Sequence, residues 1–400
     1  MSGHVSGIPQ LLHQQSSGLI RPEYTRQQFT SWATSKLSLS KLRDLDTSYH
    51  SAGVTCLDID KEGGQYILNG CGDGTIYIHD IHRNPSELAL HIGRSNKHSH
   101  RHSVGTVGWG SDTGLFVTSS RDGVVKVWDT NQGKPVEQFT LEGVINRHAM
   151  AQPEVGPIVG VARDTSHVTL IDLKSGSTSH VLRGHTAEVI TMAWSPGQPN
   201  ILATGSADKK VILWDVRQAK SYVQYLDYNN VRFKRKKDIT LAGSSHQSRV
   251  HGLVFSGCGR YLVSLGADKR IRKWDTVTGK NLKTKFADVN KNFKGAVDMV
   301  CSSNGVIDFL FLPEKSFILM INLQTGKTVR QLVGHYGSVS SLAYSPDSME
   351  LYSGAKDKNI LIWEAETSRV QAWLDNKNKG TEEEENKDQF TRDTWSSDED

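Results

Sequence analysis

Along most of the chain, short apolar runs of three to six residues are separated by polar turns, with no long apolar stretch and little helical periodicity. The clearest stretch is residues 184–215, GHTAEVITMAWSPGQPNILATGSADKKVILWD. An apolar run over residues 189–194 is followed by the turn Ser195-Pro196-Gly197, a second run over 201–203, a tight turn around Asp208 and a third run over 211–214. Runs of this length, bounded by Pro, Gly, Asn and Asp, predict three strands of a meander.

The marks of this unit recur. A turn Asp stands six residues before a third-strand Trp at Asp122/Trp128, Asp208/Trp214, Asp268/Trp274 and Asp357/Trp363, and His79 takes the Trp place after Asp73. Four residues before each Asp is a small polar residue: Asn69, Thr118, Thr204, Ser264 or Ser353. Some 20 to 23 residues before each Asp is a His: His50, His102, His185, His246 or His335. A Gly-His opening and a Trp-Asp closing at this period predict an all-β, seven-bladed propeller of WD repeats. At about 43 residues per unit, seven blades use about 300 residues. The expected organisation is an N-terminal helical arm over 1–40, the propeller over 41–374 and a disordered acidic tail over 375–400.

The four residue types have a physical reason to occur together. A Trp buried between blades has an indole N–H in need of an acceptor; a Ser or Thr hydroxyl accepts it and passes a hydrogen bond to the His ring, whose other nitrogen faces the turn Asp. The sets His185/Thr204/Asp208/Trp214, His246/Ser264/Asp268/Trp274 and His335/Ser353/Asp357/Trp363 therefore read as structural columns, since no reaction needs repeated copies.

Outside the clear repeats the signals weaken. In the third unit His148 opens and 168–172 close, with Ile171 in the Trp place; the sixth, about 295–322, keeps its apolar runs but lacks the His, Asp and Trp. Residues 41–46 are placed to supply the outermost strand of the last blade, which would close the ring. In the arm, residues 8–13 predict one short helix, and Pro22 starts a second running to about Leu37. Its stripe of Phe29, Trp32, Ala33 and Leu37 either folds back over the disc or anchors in a partner groove.

Composition narrows the chemistry. The net charge of +4 gives no warrant for direct reading of nucleic acid. Cys56, Cys71, Cys258 and Cys301 are scattered, which points to a reducing compartment without disulfide or zinc framework. No apolar run approaches the roughly 18 residues of a membrane span. His98, His100 and His102 alternate in one loop without a carboxylate at ligand spacing, which argues against metal. The basic run 233–237 reads as solvated charge, an import signal or a phosphate contact. The tail carries Ser396 and Ser397, each with an acidic residue three positions on, so both are candidates for an acid-directed kinase. No nucleophile elbow or phosphate-binding loop occurs, so the expectation is a ring without catalytic residues or cofactor that presents loops to macromolecules.

One departure from repetition is the box Trp214-Asp215-Val216-Arg217, which sets a guanidinium just beyond a third strand. With the N-terminal helix pair, it resembles the substrate receptors of cullin-four RING ubiquitin ligases. The resemblance implies that Asp215, Arg217, Phe29 and Trp32 meet the adaptor, damage-specific DNA-binding protein one, which joins the receptor to cullin four and the RING subunit. Gly93-Arg94, His102-Ser103-Val104, Asp112-Thr113-Gly114, residues 126–131, 172–176, 201–204 and 213–217, and the end containing Trp395-Ser396-Ser397, are similar to the Cockayne syndrome group A family within these receptors. That likeness covers nearly the whole propeller. It implies a nuclear role in transcription-coupled nucleotide-excision repair, with the Cockayne syndrome group B remodeller and stalled RNA polymerase II as partners. The rival readings are a propeller that binds histones or RNA-processing partners, and a propeller hydrolase, which would require acidic residues converging on the central channel.

Overall fold

The structure, a computed structural model, describes residues 22–40, 45–61, 63–82, 86–110, 113–217, 222–230, 243–287, 289, 295–302 and 307–365. The helix expected over 8–13, the basic run 233–237 and the tail from 375, with Trp395, Ser396 and Ser397, lie outside the described residues.

Seven antiparallel sheets form the molecule. Blades 1 to 7 begin with the inner strands Val54–Ile59, Val104–Trp109, Ile145–Met150, Val189–Trp194, Val250–Phe255, Val300–Cys301 and Val339–Ser345. Each inner strand packs against the next, and the seventh packs against the first, so the ring is closed around a central channel. Inner and middle strands are buried on both faces because each blade is sandwiched between two others; Ile201–Ser206 and Tyr261–Gly266 are buried over five consecutive positions.

A register shift near the start of the inner strand recurs in blades 1 to 5 and 7, leaving Thr55, Gly105, Asn146, Ile190, His251 and Ser340 opposite no single partner. Such a bulge re-aims a side chain. Here Thr55 donates to the Val104 carbonyl at 2.6 Å and Asn146 to the Val189 carbonyl at 2.9 Å, each tying its blade to the following one.

Two expectations about the chain's beginning change. The helix is Pro22–Ser35, and Leu37 has already left it for the strand Leu37–Leu39. The outermost strand of blade 7 is this one: Leu37 lies opposite Ala365 and Leu39 opposite Trp363, while residues 41–44 of the stretch expected there lie outside the described residues. The reason is burial, since Leu37 is fully enclosed with Phe309, Phe311 and Trp363 in the core between blades 6 and 7. One sheet therefore contains both ends of the propeller, which removes an exposed edge.

Each disc face has its own character. Turns between second and third strands, around Asp73, Asp122, Asp208, Asp268 and Asp357, lie on one face, called the top. Third strands end on the other, the bottom, at Asp80, Asp129, Asp215, Asp275 and Ala365.

Candidate functional site

The columns are built at the top of the blades. In blade 4, Trp214 Nε1–H donates to Thr204 Oγ1 at 2.7 Å, the hydroxyl lies 2.8 Å from His185 Nε2, and His185 Nδ1 lies 2.8 Å from Asp208 Oδ2. Blade 5 repeats it: Trp274 to Ser264 at 2.8 Å, Ser264 to His246 at 2.7 Å, His246 to Asp268 at 3.0 Å. In blade 7 the distances are 2.8 Å for Trp363 to Ser353, 2.8 Å for Ser353 to His335 and 3.0 Å for His335 to Asp357. In each column the hydroxyl oxygen accepts the indole N–H and lies within hydrogen-bond reach of the imidazole, whose other nitrogen lies within reach of the turn carboxylate. Burial alone would raise the four column carboxyls; the imidazole bond and the N–H donors of the turn outweigh it and hold them low, Asp122 at about 2.

Three sequence-derived histidines fall elsewhere. In blade 2 the column residue is His100, 2.8 Å from Thr118 Oγ1 and 3.3 Å from Asp122, and His102 is exposed. His50 does not reach Asp73; its Nδ1 lies 2.9 Å from the Lys358 carbonyl of blade 7, while Asp73 takes Ser51 and Thr75. With no Trp at His79, the space is filled instead by Tyr49 and Tyr77 around the two His rings. His148 does not open a column but sits on the inner strand of blade 3, 2.7 Å from Ser119 Oγ. Among the described residues, no group of three or more His, Cys, Asp or Glu is placed to hold a metal ion.

The channel encloses about 560 Å³ and does contain carboxylates. Asp298 accepts from Arg147 Nη2 at 2.6 Å, Ser341 Oγ at 2.7 Å and the Leu342 N–H at 3.3 Å, while Ser341 Oγ in turn accepts the Leu57 N–H at 2.8 Å. This carboxylate thus ties blades 1, 3, 6 and 7 together across the axis. Asp58 accepts the Trp109 N–H at 2.8 Å, and burial pushes its carboxyl up. Both groups are engaged between blades, an arrangement suited to stapling the ring. Asp298→Ala is expected to cost about 2 kcal/mol by leaving those donors unpaired, and Arg147→Ala less than half of that. Urea unfolding of the two variants checks the ranking.

On the bottom, Arg217 does not hold its fork free. Nε and Nη2 lie 3.0 and 2.7 Å from the carboxylate of Asp215, which is buried, while the Arg217 side chain is 67% exposed. The outward edge of the guanidinium is what a partner would meet. On the same face, Ser31 Oγ accepts the Ile307 N–H at 3.0 Å and Thr34 Oγ1 lies 3.0 Å from Tyr344 Oη. The C-terminal half of the helix thus lies back on the disc through Thr30, Ser31, Ala33 and Thr34, which are buried, while Trp32 is half-buried. The side chain of Phe29 lies outside those described.

Ring, columns and repeats together define a WD-repeat protein folded as a seven-bladed β-propeller. Family models agree: the WD domain, G-beta repeat, matches residues 42–80, 94–129 and 326–364, and the WD domain of leucine-rich repeat and WD repeat-containing protein 1 matches 155–319. The chain is similar to the WD repeat-containing protein ATCSA-1 of Arabidopsis thaliana, 26% identical over 87% of this chain and 93% of the relative. It is also similar to radiation-sensitive protein 28 of Saccharomyces cerevisiae, 29% identical over 45% of this chain and 39% of the relative. A third relative, protein FIZZY-RELATED 2 of Arabidopsis thaliana, is 27% identical over 65% of this chain and 50% of the relative.

Proposed function

We propose that this chain is the substrate-recognition subunit of a cullin-four RING ubiquitin ligase acting in transcription-coupled nucleotide-excision repair in the nucleus. The observation that carries the reading is the likeness to ATCSA-1 over most of both chains, a relative whose name bears the abbreviation of the Cockayne syndrome group A family; the other two relatives are matched over half their length or less. Two features of the fold support it. Helix Pro22–Ser35 and the Asp215–Arg217 pair lie on one face, so an adaptor can grip both and leave the opposite face to a substrate.

In this reading the mechanism is positional. The bottom face holds damage-specific DNA-binding protein one, and through it cullin four and the RING subunit. The top holds the substrate, in the setting of the Cockayne syndrome group B remodeller and stalled RNA polymerase II. Tethering raises the concentration of substrate lysines near the charged conjugating enzyme, and no group of this chain reacts.

Arg217→Ala, which avoids placing a second carboxylate beside Asp215, is expected to lose adaptor co-purification at least tenfold with little change in the melting curve. Affinity purification from cells with mass spectrometry reads it. Histones or spliceosomal proteins in the eluate, with no adaptor or cullin, would replace the proposal with the scaffold reading.

A further inference from the structure

The small net charge hides an uneven distribution. At the top turns of blades 4, 5, 6 and 7 stand Lys209, Lys269, Lys315 and Lys358, all exposed and all at positive φ, between 53° and 72°. Glycine adopts that conformation without strain, and Gly74 and Gly123 do so in the turns of blades 1 and 2.

The backbone shows what the conformation is for. Each of the four lysine carbonyls accepts a hydrogen bond from the following blade: Lys209 from the His246 N–H at 3.0 Å, Lys269 from Val289 at 3.4 Å, Lys315 from Val339 at 2.7 Å and Lys358 from the His50 ring at 2.9 Å. In blade 2, Gly123 accepts the same bond from Leu141 at 2.8 Å. The structural task therefore needs no side chain. What the lysines add is a row of ammonium groups on backbone fixed at both sides, ordered before anything binds.

The turn aspartates Asp208, Asp268 and Asp357 face inward onto their histidines. Between Lys315 and Lys358 stands Tyr336, 95% exposed, on a loop pinned by its own N–H to Asp357 at 2.9 Å. A fully solvated aromatic on a rigid, positively charged rim has the make-up of an anchor for an acidic segment of extended chain.

We infer that this top surface over blades 5 to 7 binds the chain's own acidic tail through its four consecutive glutamates, residues 382–385. The path is short enough. Ala365 lies at the bottom of blade 7, and the strand Ile360–Ala365 that leads to it from Lys358 rises about 20 Å. Residues 366–381 reach up to about 55 Å when extended, so the glutamates can return to the turn their own strand came from. Tethering gives an effective concentration on the order of millimolar, enough for a weak electrostatic contact to form within the chain. The tail would then compete with any acidic partner for the top face, and charge added at Ser396 or Ser397 would strengthen its hold.

The test is zero-length carbodiimide cross-linking of the full chain, light and heavy-isotope copies mixed, followed by peptide mass spectrometry. Expected are links within one chain from residues 382–385 to Lys269, Lys315 or Lys358, reduced at least fivefold by 0.5 M salt. The double variant Lys315→Glu/Lys358→Glu should lose them to the same degree with an unchanged circular-dichroism melting curve. Links only to other lysines, links only between chains, or no dependence on salt would overturn the assignment. So would a labelled oligothymidylate that the full chain retains at low salt and the double variant does not, since the surface would then serve nucleic acid in the tail's presence.

Discussion

Replacing Trp214 by alanine is expected to destabilise the propeller by about 3 to 5 kcal/mol, the range for a buried aromatic removed from a packed core. Trp214 is 1% exposed and belongs to the core between blades 3 and 4, with Leu182, Met192 and Leu202. Its six-membered ring edge leaves so little room at Gly184 that a Cβ built there would lie 2.9 Å from it. Packing and hydrogen bonding can be separated by a second variant. Trp214→Phe keeps most of the apolar surface and removes only the indole donor to Thr204, so it should cost about 1 to 2 kcal/mol. Urea unfolding at neutral pH measures both. An alanine variant within experimental error of the parent would show that the interface between blades 3 and 4 carries no weight in folding.

The column was readable in sequence because its parts are locked by short-range geometry. Thr204, Asp208 and Trp214 lie on one hairpin, so their spacing cannot drift without breaking the register that puts Leu202 opposite Trp214. His185 arrives from a separate loop, and loop length varies; the same freedom in blade 2 let His102 pass for the column residue when His100, two positions earlier, has the ring beside Thr118 and Asp122. Outer strands were silent for another reason. Lys134–Thr140 alternates exposed and half-buried side chains at the rim, and Ser177–Arg183 buries only Leu182, so neither needs the apolar run that marks a strand. The closing strand Leu37–Leu39, three residues long, is too short for any pattern. In blade 1 the Asn69 and Asp73 spacing was kept while His79 took the Trp place, and with no indole to fill the space the neighbouring Tyr rings do so. The Asp215–Arg217 chelate needed coordinates: the sequence box tells that the two residues are near, not that the carboxylate already occupies two of the guanidinium donors.

Acidification should destabilise the ring well before its column carboxylates titrate. Burial lowers the pKa of His50, His79, His100, His148, His246 and His251, with His79 and His148 each at about 3. Unfolded histidine titrates near 6.5, so below that pH the unfolded chain takes up protons that the folded chain refuses, and stability falls as pH drops. The loss begins near pH 6.5 and continues to the folded values; at pH 5, His79 and His148 alone account for about 2 kcal/mol each. The column aspartates act later. Their folded pKa values are depressed, so their contribution is whole above about pH 4 and is lost only as pH falls toward the folded value, about 2 for Asp122. His79 offers the cleanest control: neither ring nitrogen meets a hydrogen-bond partner among the described residues, and its ring stacks on Tyr49 with centroids 6.0 Å apart. Asp46 pulls its pKa up slightly and His50 pushes it down, both less than burial does. His79→Phe keeps the stack and removes the titrating group. Its urea midpoint should match or exceed the parent's at pH 7.5, and the loss between pH 6.5 and 5 should shrink by about 2 kcal/mol. An equal pH slope in parent and variant would mean that blade 1 admits protons freely, and that its two enclosed histidines are not held neutral by the packing around them.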